Sequence, residues 1–177
     1  MAAIVAAAFL LAAGAAGAPS RYVPAREGGW HAWLAGPLAG LHIGLPGERF
    51  QTLTLILAGG YALALIGARS VPARALWASI VAAHVAFALG PPLISQDVFG
   101  YEAFARMGAL HGLDPYTHFP SEAPTDAVFR YVGWPFQHSP YGPLFTLASY
   151  ATAPLGIAAA MWVFKVLAAL ASLVAIA

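Results

Sequence analysis

SQDVFGYEAFARMGALHGLDPYTHFPSEAPTDAVFRYVGWPFQHSPYG, residues 95–142, is the one long stretch of this chain that is not overwhelmingly apolar. It carries five of the seven acidic residues: Asp97, Glu102, Asp114, Glu122 and Asp126. The sequence around it has the composition of a membrane protein. Of 177 residues, 60% are hydrophobic and 8% charged, where an average soluble domain has roughly 25% charged residues. A net charge of +1 gives no electrostatic basis for nucleic-acid binding. With no cysteine, there is neither a disulfide scaffold nor a thiolate-bound metal.

Outward from this stretch, four apolar segments predict membrane spans at about residues 2–18, 51–68, 75–94 and 157–177, each near the ~17 to 25 helical residues that cross a hydrocarbon core. The first also reads as a signal peptide, because Ala16-Gly17-Ala18 has the small-x-small form of a cleavage site, although no basic residue precedes it. Between it and the second, Trp30, His31 and Trp33 suit the headgroup level, near the charged residues Arg26 and Glu27. Arg69 and Arg74 lie in the short turn between the second and third spans. The positive-inside rule then places this turn in the cytoplasm and residues 95–142 outside. An interfacial helix at about 141–153 leads to the last span, with Pro154 and Gly156 dividing the two. The chain stops inside an apolar run, so these residues read as the N-terminal piece of a longer protein. The fold class is an all-α integral membrane protein, a single membrane domain with a long extracytoplasmic loop.

Within that loop, Pro91 and Pro92 end the preceding helix, since each lacks a donor and clashes with the turn behind it. Ser95 is placed to cap a new helix running to His111, with Gly112 as its stop. Asp97 then falls in the first turn, where unpaired N–H groups favour a negative side chain, and an ionised carboxylate there can accept a proton. Simple helix capping is the structural alternative. Asp97, Tyr101, Phe104 and Gly108 share one helix face, while Glu102 and Arg106 lie around the other sides as an i, i+4 pair, worth ~0.3 kcal/mol if exposed. Beyond the helix, Gly112, Asp114 and Pro115 are turn chemistry. Five further prolines (120, 124, 135, 140 and 143) then keep the segment irregular, and its aromatics supply the apolar contacts.

No H-E-x-x-H, paired-His or EF-hand spacing occurs, so no metal site is assigned; the carboxylates leave room only for a loosely held divalent cation. G-x-S-x-G, P-loop and dinucleotide patterns are also missing, which argues against serine hydrolases and nucleotide-dependent enzymes of those types. Inside the last span Lys165 is expensive enough to be a functional candidate with an anionic partner. His84 reads as a neutral imidazole bonded to another helix.

Ser95-Gln-Asp-Val-Phe-Gly-Tyr101, residues 108–112, Leu113-Asp-Pro-Tyr116, Gly133-Trp134 and Pro140-Tyr-Gly-Pro-Leu144, in this order, resemble the N-terminal part of the GT-C glycosyltransferases. The closer resemblance is to the bacterial polyprenyl-phosphate-mannose-dependent α-mannosyltransferases and family 87 proteins, over about residues 90–165. It implies a plasma-membrane enzyme with an extracytoplasmic site. Such an enzyme moves a sugar, mannose favoured, from a polyprenyl-phosphate donor to a hydroxyl of a cell-envelope glycan or glycolipid, usually with inversion. Asp97 matches the family's loop aspartate and takes the role of general base, with Tyr101 and Glu102 as candidate support. For the donor phosphate the available groups are Arg106, Arg130, His138 and Lys165. Tyr116, Trp134 and Tyr141 are candidates for sugar or acceptor contact. The partners implied are the lipid-linked donor, the acceptor and membrane lipids. The rival readings are a non-catalytic polyprenyl-lipid-binding subunit or flippase-like carrier, and an inactive truncated fragment.

Overall fold

The computed structural model describes residues 1–17, 20–23, 31–67 and 69–177. Ala18 of the cleavage motif, the charged pair Arg26 and Glu27, Trp30, and Ala68 at the end of the second expected span lie outside the described residues. Among those described, every regular element is helical: α1 (Ala2–Gly17), α2 (Ala32–Ala35), α3 (Gly47–Ile66), α4 (Ala73–Leu89), α5 (Asp97–His111), α6 (Pro143–Ser149) and α7 (Ile157–Ile176), with short 3₁₀ turns between them. Two of these, α3 and α7, are long and apolar enough to cross a membrane, while α1 and α4 are apolar but shorter. The described residues form two compact units, the first made of residues 1–17, 20–23, 31–67, 69–93 and 168–177, the second of residues 94–167.

In the first unit α1 packs against both α3 and α4, and its small residues set how closely. Ala7, Ala8, Ala12, Ala13, Ala15 and Ala16 are all buried, so backbones approach where larger side chains would hold them apart. A Cβ added at Gly17 would lie 2.1 Å from the carbonyl oxygen of Ile43, which makes that glycine a requirement of the crossing backbone. The outward side of α3 is apolar as well: Leu55, Leu63 and Ile66 are exposed, the pattern of a helix whose surroundings are lipid. This helix begins at Gly47, ahead of the expected Gln51, and so takes Glu48 into its first turn, where a carboxylate is favoured by the helix dipole.

Within this unit His84 ties α4 to the end of α7. Its Nδ1 lies 2.8 Å from the Ile80 carbonyl, which can only accept, so Nδ1 carries the proton. Nε2 lies 2.9 Å from the Ser172 hydroxyl on α7, a group that can either donate or accept. Both ring nitrogens are satisfied, and the bond to Ser172 reaches another helix, as the sequence reading expected.

The second unit is built on α5. Ile94 adopts a left-handed conformation with φ 68°, an unusual state for a β-branched residue, and turns the chain into the helix. The cap position falls on Gln96, one residue later than expected, and the Ser95 hydroxyl accepts the N–H of Asp97 at 3.1 Å. At the other end Gly112 takes the left-handed conformation at φ 65°, and the Leu113 N–H returns to the Met107 carbonyl at 3.0 Å, as a glycine stop requires. Against α5 pack α6 and the 3₁₀ turn Tyr150–Leu155. The expected helix at 141–153 is thus a short α-helix followed by a 3₁₀ turn containing Pro154, which has no N–H to continue an α-helical ladder.

Tyr150 sits directly on Gly108 of α5: a Cβ there would come 1.9 Å from its hydroxyl oxygen and 2.0 Å from the ring carbon bearing it. A whole ring must move to make room for one methyl group. Gly108→Ala is therefore expected to lower stability by about 1–3 kcal/mol despite alanine's better helix propensity. Thermal unfolding of the full protein in detergent measures this, and Tyr150→Ala in the same chain should recover part of the loss.

Candidate active site

Asp97 is the first residue of α5 and half-buried. One turn on, Tyr101 packs edge-on against Tyr141, with ring centroids 4.8 Å apart, and against Phe145 at 5.1 Å and Phe164 at 5.6 Å. Phe104 meets Tyr141 from the next turn at 6.1 Å. Thus α5, the chain before α6, α6 itself and the first half of α7 contribute one aromatic floor, and edge-to-face geometry suits the ring quadrupoles. Both phenols are held protonated: burial first, then the negative charge of Asp97, pushes the Tyr101 and Tyr141 hydroxyls above the usual phenol range. A carboxylate beside two phenol donors can accept a proton while the phenols hydrogen-bond to a sugar or phosphate oxygen.

The turn after α5 is fastened to this floor. Asp114 accepts the Tyr116 N–H at 3.0 Å, an Asx turn. The Tyr116 hydroxyl reaches the Tyr141 carbonyl at 2.8 Å and the buried Thr146 hydroxyl at 2.9 Å. With a single phenolic hydrogen for the carbonyl, Thr146 supplies the hydrogen of the second bond. Tyr116 thereby holds the backbone of Tyr141 in place, while part of its ring stays exposed.

The expected charge pair on α5 is not formed. Arg106 instead donates from Nε to Asp126 Oδ1 at 2.8 Å and from Nη1 to the Ala153 carbonyl at 2.9 Å. Asp126 also accepts the Val128 N–H at 3.0 Å, and its Oδ2 lies 2.6 Å from Nε2 of His111. Burial opposes ionisation of this carboxyl, but the bonds from Arg106, His111 and Val128 prevail and hold it below the usual range. Glu102 lies beneath this cluster, 1% exposed, and neither of its carboxylate oxygens has a hydrogen-bond partner among the described residues. The physical reason is that α5 is covered on this side: a long acidic side chain one turn before Arg106 points into packed protein, and Arg106 finds a better acceptor across the fold. Burial raises the Glu102 carboxyl to about 9, with Arg106 lowering it and Asp126 raising it.

Asp126 was not picked out by the sequence reading. Its signal is weak but present: Asp126-Ala-Val128 is an Asx-turn pattern, and the single arginine of α5 needs an acid outside the helix if its neighbour Glu102 is buried.

The remaining candidates are dispersed over the second unit. His138 is exposed and stacks on Phe119 with centroids 4.2 Å apart. Next to it, His118 and Glu122 pair at 2.9 Å. Arg130 is exposed, with its guanidinium 5.0 Å from the Tyr131 ring centroid. Trp134 is exposed in the loop. On α7, the Lys165 ammonium lies 5.7 Å from the Trp162 ring centroid, within cation–π range. Among the described residues no group of three or more His, Asp or Glu is arranged to hold a metal ion.

The protonated Glu102 gives a signed prediction. Its carboxyl loses its proton near 4.5 when unfolded and near 9 when folded, so over that window the folded state binds more protons and stability falls as pH rises. Glu102→Gln removes the dependence. It should raise the melting temperature at pH 8 by roughly 2–4 °C or more and leave it nearly unchanged at pH 4.5, as read by thermal unfolding across pH.

The family model described as "Alpha-(1->6)-mannopyranosyltransferase, N-terminal domain" matches residues 1–177. It agrees with the resemblance drawn from the ordered motifs of residues 90–165. No match was found among curated proteins or among solved structures.

Proposed function

The chain belongs to the alpha-(1->6)-mannopyranosyltransferase family, through that family's N-terminal domain, and from this we propose that Asp97 is the general base of a mannosyl transfer from a polyprenyl-phosphate donor. The observation that carries the proposal is the position of Asp97 at the first residue of α5, beside the phenols of Tyr101 and Tyr141. The acceptor hydroxyl gives its proton to Asp97 as its oxygen attacks the anomeric carbon. The bond from that carbon to the phosphate oxygen breaks, and polyprenyl phosphate leaves with the electron pair, inverting the configuration. Charge gathers on the departing phosphate, where fixed donors are most effective.

Tyr101 and Tyr141 are donors close enough to the base to feel its charge. Arg130, His138 and Lys165 are the cationic candidates for the lipid phosphate, while Arg106 has donors already committed to Asp126 and Ala153 and serves to hold α5. The exposed ring of Trp134 and the free part of the Tyr116 ring would stack on a sugar face. Glu102 supports the helix rather than the proton transfer. The acceptor is a hydroxyl of a cell-envelope glycan or glycolipid.

The setting we propose is a bacterial plasma membrane, spanned by α1, α3, α4 and α7, with residues 95–142 on the extracytoplasmic side and α6 at the interface. The exposed Trp134, Phe136, Leu144 and Leu147 support this placement, since aromatic and aliphatic side chains at headgroup depth are stabilised there.

Asp97→Asn keeps the shape of the side chain and removes its basicity. In membranes containing the full-length protein, a polyprenyl-phosphate-mannose donor and an acceptor glycan, kcat should fall by about 10²- to 10⁴-fold with donor KM little changed. Transfer at the parent rate would remove Asp97 from the role.

A further inference from the structure

Glu102 is the unexplained residue of the second unit. Its side chain is 1% exposed and lacks a hydrogen-bond partner among the described residues. The crevice it lines with Arg106, Thr152, Ala153, Gly156 and Ala160 has no room for a water molecule. A buried polar group without partner or water is costly, and an alanine or leucine would fill this position at no such cost. Helix spacing puts Glu102 one turn before Arg106, on adjoining positions of the α5 surface, and the Arg106 charge acts on its carboxyl. Arg106 therefore has two carboxyl groups in reach, of which it uses one.

We propose that Glu102 is a reserve partner for Arg106, uncharged while Arg106 is bound to Asp126 and ionised when Arg106 swings back along α5 to it. The exchange frees Asp126 from Arg106 and leaves the 120–131 segment tied to α5 at this point by His111 alone. No bare charge is left behind, because His111 remains 2.6 Å from Asp126. Protons balance: Glu102 gives its proton up to solvent as Arg106 leaves Asp126. The resting set, Arg106⁺ with Asp126⁻ plus neutral Glu102, becomes Arg106⁺ with Glu102⁻, while Asp126⁻ keeps its bond to His111.

The other elements packed here do not compete. From the turn Tyr150–Leu155 come the Ala153 carbonyl and the Thr152 hydroxyl, the latter already bonded to the Ser149 carbonyl at 2.7 Å, and α7 contributes Ala160 to the crevice. The carboxyl of Asp97 lies at the far end of the helix, where α5 begins. Glu102 and Asp126 are thus positioning residues for the helix that carries Asp97, a role that rests on the reading of Asp97 as the base.

The test is a double-mutant cycle at pH 8 on the full-length protein in detergent. Glu102→Gln alone should raise the melting temperature. In an Asp126→Asn background, where Arg106 depends on its reserve, the same substitution should lower it. Asp126→Ser, which keeps an acceptor for the Val128 N–H, provides a second background. A reversal of sign in either background supports the exchange. The same sign and size in both overturns it, as does failure of both Asp126 variants to fold while Glu102 is intact, since the reserve then did not take over. The positioning role is read separately. Glu102→Gln should lower kcat several-fold with donor KM unchanged while it raises the melting temperature, and an unchanged kcat overturns that role whatever Asp97→Asn does.

Discussion

The carboxylate of Asp126 binds three donors from two directions: Arg106 and His111 on α5, and the backbone of its own turn at Val128. In a chain so poor in charge, an ion pair of this kind has few substitutes. Residues 112–142 form only two short 3₁₀ turns and no long helix, so they cannot be held by a repeating hydrogen-bond ladder. They depend on point contacts to α5 and α6: Asp126 at one place, Tyr116 at another, and the stack of Phe99 on Tyr131, with centroids 5.2 Å apart, at a third. Removing one partner of a buried charge costs far more than the pair itself is worth. That asymmetry makes the location of the arginine's acceptor a condition for the rest of the segment.

The two units solve packing differently. In the first, alanine and glycine let apolar helices touch, and exposed leucines face outward, so its stability comes from close backbone approach and a lipid environment. The second has a mixed interior of rings, hydroxyls and charges. Its aromatic floor gathers rings from α5, α6 and α7 near Asp97, the proposed base, and the phenols on it are kept protonated by burial. In the proposed mannosyl transfer, geometry and fixed donors of this kind would contribute much of the rate.

What could be read from sequence follows from how local the cause is. The run of α5 to His111 and its stop at Gly112 were legible because a left-handed glycine acts on its own neighbours. The bond from His84 to another helix was legible from the cost of an unpaired polar group in an apolar helix. Ser95 misled by one residue because the turn at Ile94, a left-handed β-branched residue, has no pattern of its own. Glu102 and Arg106 misled more seriously. Their i, i+4 spacing is the same on an exposed helix and on a covered one, and only the fold shows that Asp126, 20 residues away, takes the arginine. The proximity of Tyr141, Phe145 and Phe164 to Tyr101 is likewise a product of chain return, which no spacing records.

The account depends most on residues 95–142 lying outside the membrane on the side opposite the Arg69 and Arg74 turn. The sequence has no cysteine, so single cysteines can be introduced as reporters at Phe136 and Ser70, both exposed. A membrane-impermeant maleimide applied to intact cells should label Phe136→Cys at once and Ser70→Cys only after permeabilisation. The reverse order of labelling would contradict the account.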